Sequence, residues 1–273
     1  MINKALLSLL ILALLPSTPG YGWSSLGHRL VAQIAYDHLT KEAKRRCNHY
    51  NHALDKLYRP QNLINSAAWL DSLRGPKDRE LEKKHYINFP FSFDGTKLIP
   101  PNKINAVSAI KEAEADLNSD SDDFHKGFSL RILIHVVADL HQPLHAASQY
   151  SVAHPEGDKG GNLFILAKNP LATNLHQYWD KGGGFLTAKP YSNKQLKRRA
   201  LIIEKKWPCQ TANMNLNPRV WANESHRLAV EKAYLIQARQ KPSKKYQYMV
   251  KRITERRLAL AGCRLAAILN KIP

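Results

Sequence analysis

Cysteine is scarce in this chain, which has only Cys47, Cys209 and Cys263 among 273 residues. So few cysteines cannot build a small disulfide framework. They also lack the Cys-x-x-Cys spacing that is typical of structural zinc ligands. In an exported protein they could form one disulfide and leave one cysteine over, and the sequence does not choose the pair.

Acidic residues are few as well: the chain has 22 Asp and Glu but 41 Lys and Arg, which gives a formal net charge of +19. A balance this basic favours an anionic partner, such as nucleic acid, an acidic polysaccharide or a membrane surface. Many of the cations lie in separate helical runs rather than in one stripe. The charge could therefore serve solubility alone and does not identify a binding site.

Long apolar runs are absent except at the start, where the chain reads MINKALLSLLILALLPSTPGYGW. This segment has one early lysine and an apolar stretch that is short for a membrane span. A cut before Trp23 would put Gly20 and Gly22 at the −3 and −1 positions. We therefore predict a signal peptide over residues 1–22 and a soluble product, residues 23–273, that is exported to the periplasm or secreted.

Repeats, low-complexity segments and linkers are also absent from the predicted product, which is long enough for one domain with a large core. Most of it has the periodicity of amphipathic helices. The run LGHRLVAQIAYDHLTKEAKRR, for example, places Leu30, Ile34 and Leu39 at helical spacing. Only GGNLFILAK is typical of a strand. We predict an all-α single domain with long loops and a small β-hairpin.

One apolar run, LRILIHVVADLHQPLHAAS at residues 130–148, carries several ionisable side chains. Each would cost free energy to bury unless it were paired or bound to a metal. His135 and Asp139 are four residues apart and share one face of a helix. Pro143 should interrupt that helix before His145. Such a segment could supply ligands to two neighbouring metal ions.

Further imidazoles and carboxylates lie elsewhere in the chain. The additional candidates are His28, Asp71, His85, His176, Asp180 and the α-amine that cleavage would free on Trp23. Without cysteine, such a set suits zinc in catalytic sites. A His/Asp pair four residues apart is more often only a local hydrogen bond. Five histidines and three aspartates together favour a site that two or three ions share.

These segments make the chain similar to the S1/P1 nuclease family, zinc-dependent enzymes related in fold to bacterial zinc phospholipase C. The resemblance runs from WSSLGH through AAWLDSLR, HYINFP, HVVADLHQPLH, GDKGGNL and NLHQYWD to AGCRLAAILN. It implies a phospholipase C/P1 nuclease-like helical domain with three Zn²⁺ ions. The cysteine pattern is sparser than in plant and fungal members, which predicts a bacterial enzyme.

The resemblance also implies a ligand set for each ion. The sets are Asp71, His85, His135 and Asp139 for one ion; the amine and carbonyl oxygen of Trp23, His28 and the shared Asp139 for its neighbour; and His145, His176 and Asp180 for the third.

By the same resemblance, zinc-activated hydroxide would attack phosphorus in line, with Asp71 and Asp139 at the catalytic centre. Arg74 would neutralise developing charge, although a surface salt bridge is the alternative for this residue. The implied substrates are single-stranded RNA and DNA, cleaved to 5′-phosphorylated products, and 3′-nucleotides. The enzyme would be a monomer without stable membrane association.

Three residues are candidates for substrate contact. Tyr86 would stack an unpaired base, or else belong to the core. Asn162 would contact a nucleotide or only shape its turn. Asn88 stands where fungal members have an aspartate that pairs with the basic residue matching Arg74, so Arg74 should be held less firmly. His141 is assigned a structural role.

Two other functions compete with an exported zinc nuclease. A zinc-dependent phospholipase C would use the same fold, but HQPLH, GDKGGN and the basic charge favour nucleic acid. A non-catalytic zinc protein that only binds nucleic acid is the second alternative. The sequence leaves open the preference for RNA or DNA, activity on duplexes and the pH optimum.

Overall fold

The computed structural model describes residues 22–73, 79–187, 191–209 and 214–273. Arg74 and nearly all of the predicted signal peptide lie outside these ranges. The α-helices of the described residues are α1 (Ser25–Asp37), α2 (Lys41–Ala53), α3 (Arg79–Lys83), α4 (Ala106–Leu117), α5 (Asp123–Leu140), α6 (Leu175–Asp180), α7 (Asn193–Lys206), α8 (Pro218–Lys232) and α9 (Lys244–Leu269). The strands are β1 (Phe89–Ser92) and β2 (Ala147–Tyr150). The predicted all-α fold is confirmed.

The helix boundaries follow from capping side chains. Thr40 accepts a hydrogen bond from the backbone N–H of Ala43 at 3.1 Å, so α2 begins there. The run LGHRLVAQIAYDHLTKEAKRR consequently forms two helices. Asn217 likewise accepts from Arg219 N at 2.9 Å, and Pro218 occupies the first turn of α8.

The predicted hairpin at GGNLFILAK is wrong. The two strands of the described residues lie elsewhere and run parallel, with Phe89 opposite Ala147. Within GGNLFILAK, Ile165 forms only an isolated antiparallel bridge. The backbone of this segment instead caps α6, because the Phe164 carbonyl accepts from Leu175 N at 2.9 Å. Leu166 N donates to the Thr173 carbonyl at 2.9 Å, and the Ile165 carbonyl accepts from Arg239 N at 2.7 Å. The backbone groups of this segment are therefore paired with loop residues and the start of α6 rather than with a second strand.

Helix α5 is the centre of the larger core. Its residues from 130 to 140 are all buried, and α1, α2 and α4 pack around it. Helices α1 and α9 approach closely at Gly262, where a Cβ atom would lie 2.5 Å from Ile34 Cγ2. The ionisable side chains in this part of α5, Arg131, His135 and Asp139, are therefore buried.

A smaller core cluster lies behind α6. Trp179 is fully buried there, and its Nε1 donates to the Tyr246 hydroxyl on α9 at 2.9 Å. A disulfide joins Cys209 to Cys263 and leaves Cys47 as a buried thiol, as predicted for one bridge and one remaining cysteine. Burial raises the pKa of Cys47 to about 11. None of the described helices is both long and apolar enough to cross a membrane.

Candidate metal centre

Helix α5 and the turn after it place three ionisable side chains together. His135 and Asp139 lie one helical turn apart and are fully buried. The helix ends at Leu140, and a short 3₁₀ turn at Pro143–His145 returns the chain toward the same place. Pro143 interrupts the helix as predicted, and this redirects His145.

The predicted ligands gather into three groups, and the ligand atoms within each group lie within 4.8 Å of one another. The groups are His28, His135 and Asp139; Asp71, His85 and His135; and His145, His176 and Asp180. Seven of these eight side chains are buried, and Asp71 is half-buried. Residues from five separate segments of the chain thus meet in one place, which a set of local His/Asp pairs would not require.

Asp139 lies at the junction of the groups. Its Oδ2 is 2.8 Å from His85 Nδ1 and 3.1 Å from His135 Nε2. Its Oδ1 is 3.4 Å from His28 Nε2 and 3.8 Å from His145 Nδ1. One carboxylate therefore faces imidazoles of all three groups, which is the arrangement that a shared ligand needs.

Three of the imidazoles are oriented by backbone carbonyls. Each donates from Nδ1 to a carbonyl oxygen, which can only accept, so the lone pair is on Nε2. Metal-bound histidines commonly have such an outer partner. The pairs are His135 with Ala67, His145 with His85 and His176 with Gly160, at 2.7, 2.6 and 2.7 Å.

Asp180 also has a buried partner that the sequence reasoning missed. Gln142 Nε2 donates to Asp180 Oδ1 at 2.7 Å, while Gln142 Oε1 accepts from Leu144 N at 2.6 Å. The Gln142 side chain is fully buried. The only sequence signal for this role was the position of Gln142 inside HQPLH.

The start of the described chain lies against the same cluster. Trp23 is fully buried, and Ser24 N donates to the Asp180 carbonyl at 3.1 Å. A Cβ atom on Gly22 would lie only 1.6 Å from Asp139 Oδ1. The Gly22–Trp23 segment is therefore held beside the shared carboxylate.

The cluster stabilises positive charge. Burial lowers the pKa of His135, but the carboxylates of Asp139 and Asp71 raise it by more, so the net shift is upward. The same negative potential from the two carboxylates would stabilise a bound metal cation.

His141 has the opposite environment, because burial and the guanidinium groups of Arg257 and Arg264 hold its pKa well below the ordinary range. It donates from Nδ1 to Val137 O at 2.7 Å and accepts from Arg264 Nη1 on Nε2 at 2.9 Å. This neutral, fully bonded imidazole fits the structural role assigned to it.

The candidate substrate residues are placed as follows. Tyr86 is half-buried directly after His85. Asn162 donates from Nδ2 to the Lys159 carbonyl at 2.8 Å, so it shapes its own turn. Asn88 has a φ of +51°, a conformation that asparagine tolerates better than most residues. Arg74 lies outside the described residues.

Comparisons with known proteins agree with this geometry. The family model described as S1/P1 Nuclease matches residues 23–273, and the chain belongs to this family. It is 32% identical to Endonuclease 4 of Arabidopsis thaliana over 157 residues, which are 53% of this chain and 50% of that one. It is 26% identical to Nuclease S1 of Aspergillus oryzae over 172 residues, 59% of this chain and 54% of that one.

These two matches span about half the length of each relative. A longer but more distant match is Endonuclease 1 of Arabidopsis thaliana, 24% identical over 299 residues that cover 99% of this chain and 93% of that one. The family is therefore established across the predicted product.

Proposed function

We propose that this protein is an exported, zinc-dependent nuclease that cleaves single-stranded RNA and DNA to 5′-phosphorylated products and removes terminal 3′-phosphates. The observation that carries this proposal is the junction at Asp139, where three buried His/Asp groups meet. Family membership supports phosphoester hydrolysis rather than another use of a metal cluster.

The donor set fits three zinc ions, because imidazole and carboxylate ligands are those of catalytic zinc sites. In this proposal the ligand sets are Asp71, His85, His135 and Asp139; Trp23, His28 and Asp139; and His145, His176 and Asp180. When bound, zinc would supply Lewis-acid chemistry, since it lowers the pKa of water from about 15.7 to about 7 and offsets negative charge on a phosphate.

The chain's own residues would orient this centre and receive the substrate. The carbonyls of Ala67 and Gly160 hold imidazoles in their ligating orientation, and Gln142 does the same for the carboxylate of Asp180. Tyr86 would stack an unpaired base beside the centre, which favours single strands. Arg74 would neutralise charge on the scissile phosphate, and a neutral Asn88 would leave that guanidinium less firmly held.

Export would also contribute to formation of the metal site. Signal-peptide cleavage before Trp23 would free an α-amine next to Asp139, and the amine and carbonyl oxygen of Trp23 would complete the second ligand set. The mature enzyme would then act outside the cytoplasm as a monomer without stable membrane association.

Metal removal and restoration test the proposal. The mature chain is purified, treated with a chelator and then supplied with zinc, and product release is measured at each stage. We expect cleavage of single-stranded RNA and DNA and release of phosphate from 3′-nucleotides, lost on chelation and restored by zinc. Turnover of phosphatidylcholine instead would favour the phospholipase C alternative. Strand binding without any hydrolysis in zinc would favour the non-catalytic one.

A further inference from the structure

A cavity of about 640 Å³ lies between the first turns of α9 and the segment that joins α8 to α9. Its floor is apolar and includes Ile236, Met249 and Ile253. Leu235 and Tyr248 line it although 64% and 62% of their surfaces are exposed. We call this feature the α9 groove. Its volume lies within the range of ligand-binding clefts, about 300–1,000 Å³, and exposed apolar surface of this kind marks interaction sites.

The α9 groove is lined by cations. Lys232 approaches from the end of α8, Lys241 from the joining segment, and Lys245 and Arg252 from α9. The lining includes no carboxylate. Within the described ranges, none of these four forms an ion pair. Their charge is therefore available to an anionic occupant.

Aromatic rings continue the surface along α9. The Arg252 guanidinium carbon lies 6.0 Å from the ring centroids of both Tyr248 and Trp207. That of Arg256, one helical turn further on, lies 5.8 Å from Trp207. Alternating rings and cations are the pattern that binds single strands without sequence preference, through base stacking and phosphate contacts.

The groove is separate from the metal centre. Tyr246 in its lining accepts a hydrogen bond from Trp179, and the buried indole of Trp179 lies on α6 with the candidate ligands His176 and Asp180. The lining of the α9 groove includes none of the candidate metal ligands. An occupant of the groove would not contact the reacting phosphate.

We propose that the α9 groove is a second, non-catalytic binding site for single-stranded nucleic acid; its role in substrate capture rests on the proposed nuclease function. A cavity that binds an anionic amphiphile would have its cationic side chains at one end, around the charged head group. Here they stand on both walls, and Lys245 and Arg252 are seven residues apart, about 10 Å along the helix. This spread suits a polyanion, and exposed Tyr248 offers a ring for its bases.

The test uses the double variant Tyr248→Ala/Arg252→Gln. Its matched control is Leu201→Ala/Lys205→Gln on α7, which removes one exposed apolar side chain and one exposed cation four residues apart. Kinetics are measured on a dinucleotide and on a strand of about 16 nucleotides, the upper end of common site sizes. We expect the groove variant to raise KM for the long strand about tenfold, as loss of one stacked base does. We expect unchanged dinucleotide kinetics, and wild-type behaviour from the control.

Binding is measured separately, by fluorescence anisotropy of the labelled strand in an Asp139→Asn background that keeps the strand intact. The proposal is supported if the groove variant binds the strand more weakly than the parent and the control variant binds it equally well. This result would support a nucleic-acid site in the α9 groove even if the wild-type protein cleaves nothing. Equal binding and equal KM for both double variants would overturn the α9 groove while leaving the nuclease proposal intact. If the groove variant binds the strand normally but no longer binds phosphatidylglycerol vesicles, the α9 groove is a lipid site. That result would also overturn the proposal of a nucleic-acid site.

Discussion

At the scale of the residue, the candidate centre depends most on Asp139. This fully buried carboxylate lies within 3.4 Å of nitrogen atoms of His28, His85 and His135. A buried charge is tolerated only where opposite charge or hydrogen bonds compensate it. Neutral imidazoles supply only hydrogen bonds, so a cation at this junction would complete the compensation.

Asp139→Asn should therefore disable the centre. Asparagine keeps the shape of the side chain but removes the charge and one acceptor oxygen, so two ligand sets lose a member. We expect loss of metal and a fall in hydrolysis of more than about 100-fold, beyond the 10–100-fold of outer-partner mutations. Metal analysis and far-ultraviolet circular dichroism of the purified variant check this.

Asp123→Asn, on the exposed first turn of the same helix, is the control and should retain metal and activity. Full metal content together with normal turnover in Asp139→Asn would exclude the bridging role.

Single residues differ in how far the sequence predicts them. His135, Asp139, His145, His176 and Asp180 could be found because metal binding requires particular side chains at particular spacings. The atoms that orient three of the imidazoles are main-chain carbonyls, which every residue has, so no residue type signals them. Gln142 lacked a signal for a related reason, because an amide hydrogen bond across 38 positions depends on the folded chain.

At the scale of the element, a charged network fastens the end of α5 to α8 and α9. Glu224 accepts from Arg257 at 2.9 Å and from Arg264 at 2.7 Å. Arg257 also donates to the carbonyl of His141, the C-cap of α5, at 3.2 Å. Ser225, next to Glu224, donates to the Leu140 carbonyl at 2.6 Å. The network thus holds the helix end that positions Asp139.

The pKa of Glu224 predicts a pH dependence for this network. Burial raises the pKa, but hydrogen bonds and charge from Arg264 and Arg257 outweigh it and lower the pKa to about 2. Because the folded-state pKa lies below the ordinary value, the stabilisation is present above about pH 4.5 and is lost as the pH falls toward 2. The shift corresponds to about 3 kcal/mol at neutral pH.

Glu224→Gln should accordingly lower the free energy of unfolding by about 3 kcal/mol at neutral pH, and the difference from wild type should narrow below about pH 4.5. Urea titrations at several pH values, in chelator so that metal release does not contribute, measure it. Glu231→Gln, on the exposed side of α8, should stay within about 0.5 kcal/mol of wild type. A pH-independent difference would show that Glu224 acts through packing rather than charge.

Local sequence signals, such as capping residues, predicted the helices correctly. They did not predict strand pairing, and the expected hairpin was wrong. Asn217 and Pro218 mark the start of α8 by side-chain chemistry that acts within one turn. A strand-like segment such as GGNLFILAK cannot specify its partner, because pairing is non-local. Its first two residues, Gly160 and Gly161, have φ angles of +65° and +80°, and they turn the chain toward α6.

At the scale of the whole molecule, the candidate centre joins distant parts of the chain. Its candidate ligands run from Trp23 to Asp180, and α9 packs against α1 without contributing any of them. The centre can therefore form only when most of the chain has folded. If the proposed ligand set is correct, removal of the predicted signal peptide would be a condition for the site as well as for export.

An N-terminal extension tests this last condition. In the uncleaved chain, Gly22 already lies so close to Asp139 that a Cβ atom would be 1.6 Å from Oδ1. If the α-amine of Trp23 is a ligand, one extra residue moves that amine by about 3.3–3.6 Å. Zinc–nitrogen bonds of about 2.0–2.1 Å cannot follow such a shift. A chain with an added glycine before Trp23 should fold but lose one metal and most activity.

The comparison needs three proteins whose ends are confirmed by mass spectrometry. One begins at Trp23, one carries the added glycine there, and one carries a glycine after Pro273 instead. Zinc content, circular dichroism and cleavage of single-stranded RNA are measured for each. The C-terminal addition should match the parent, because it does not move the α-amine of Trp23. Equal zinc and equal activity in all three would remove Trp23 from the ligand set and leave His28 and Asp139 to hold that ion with water.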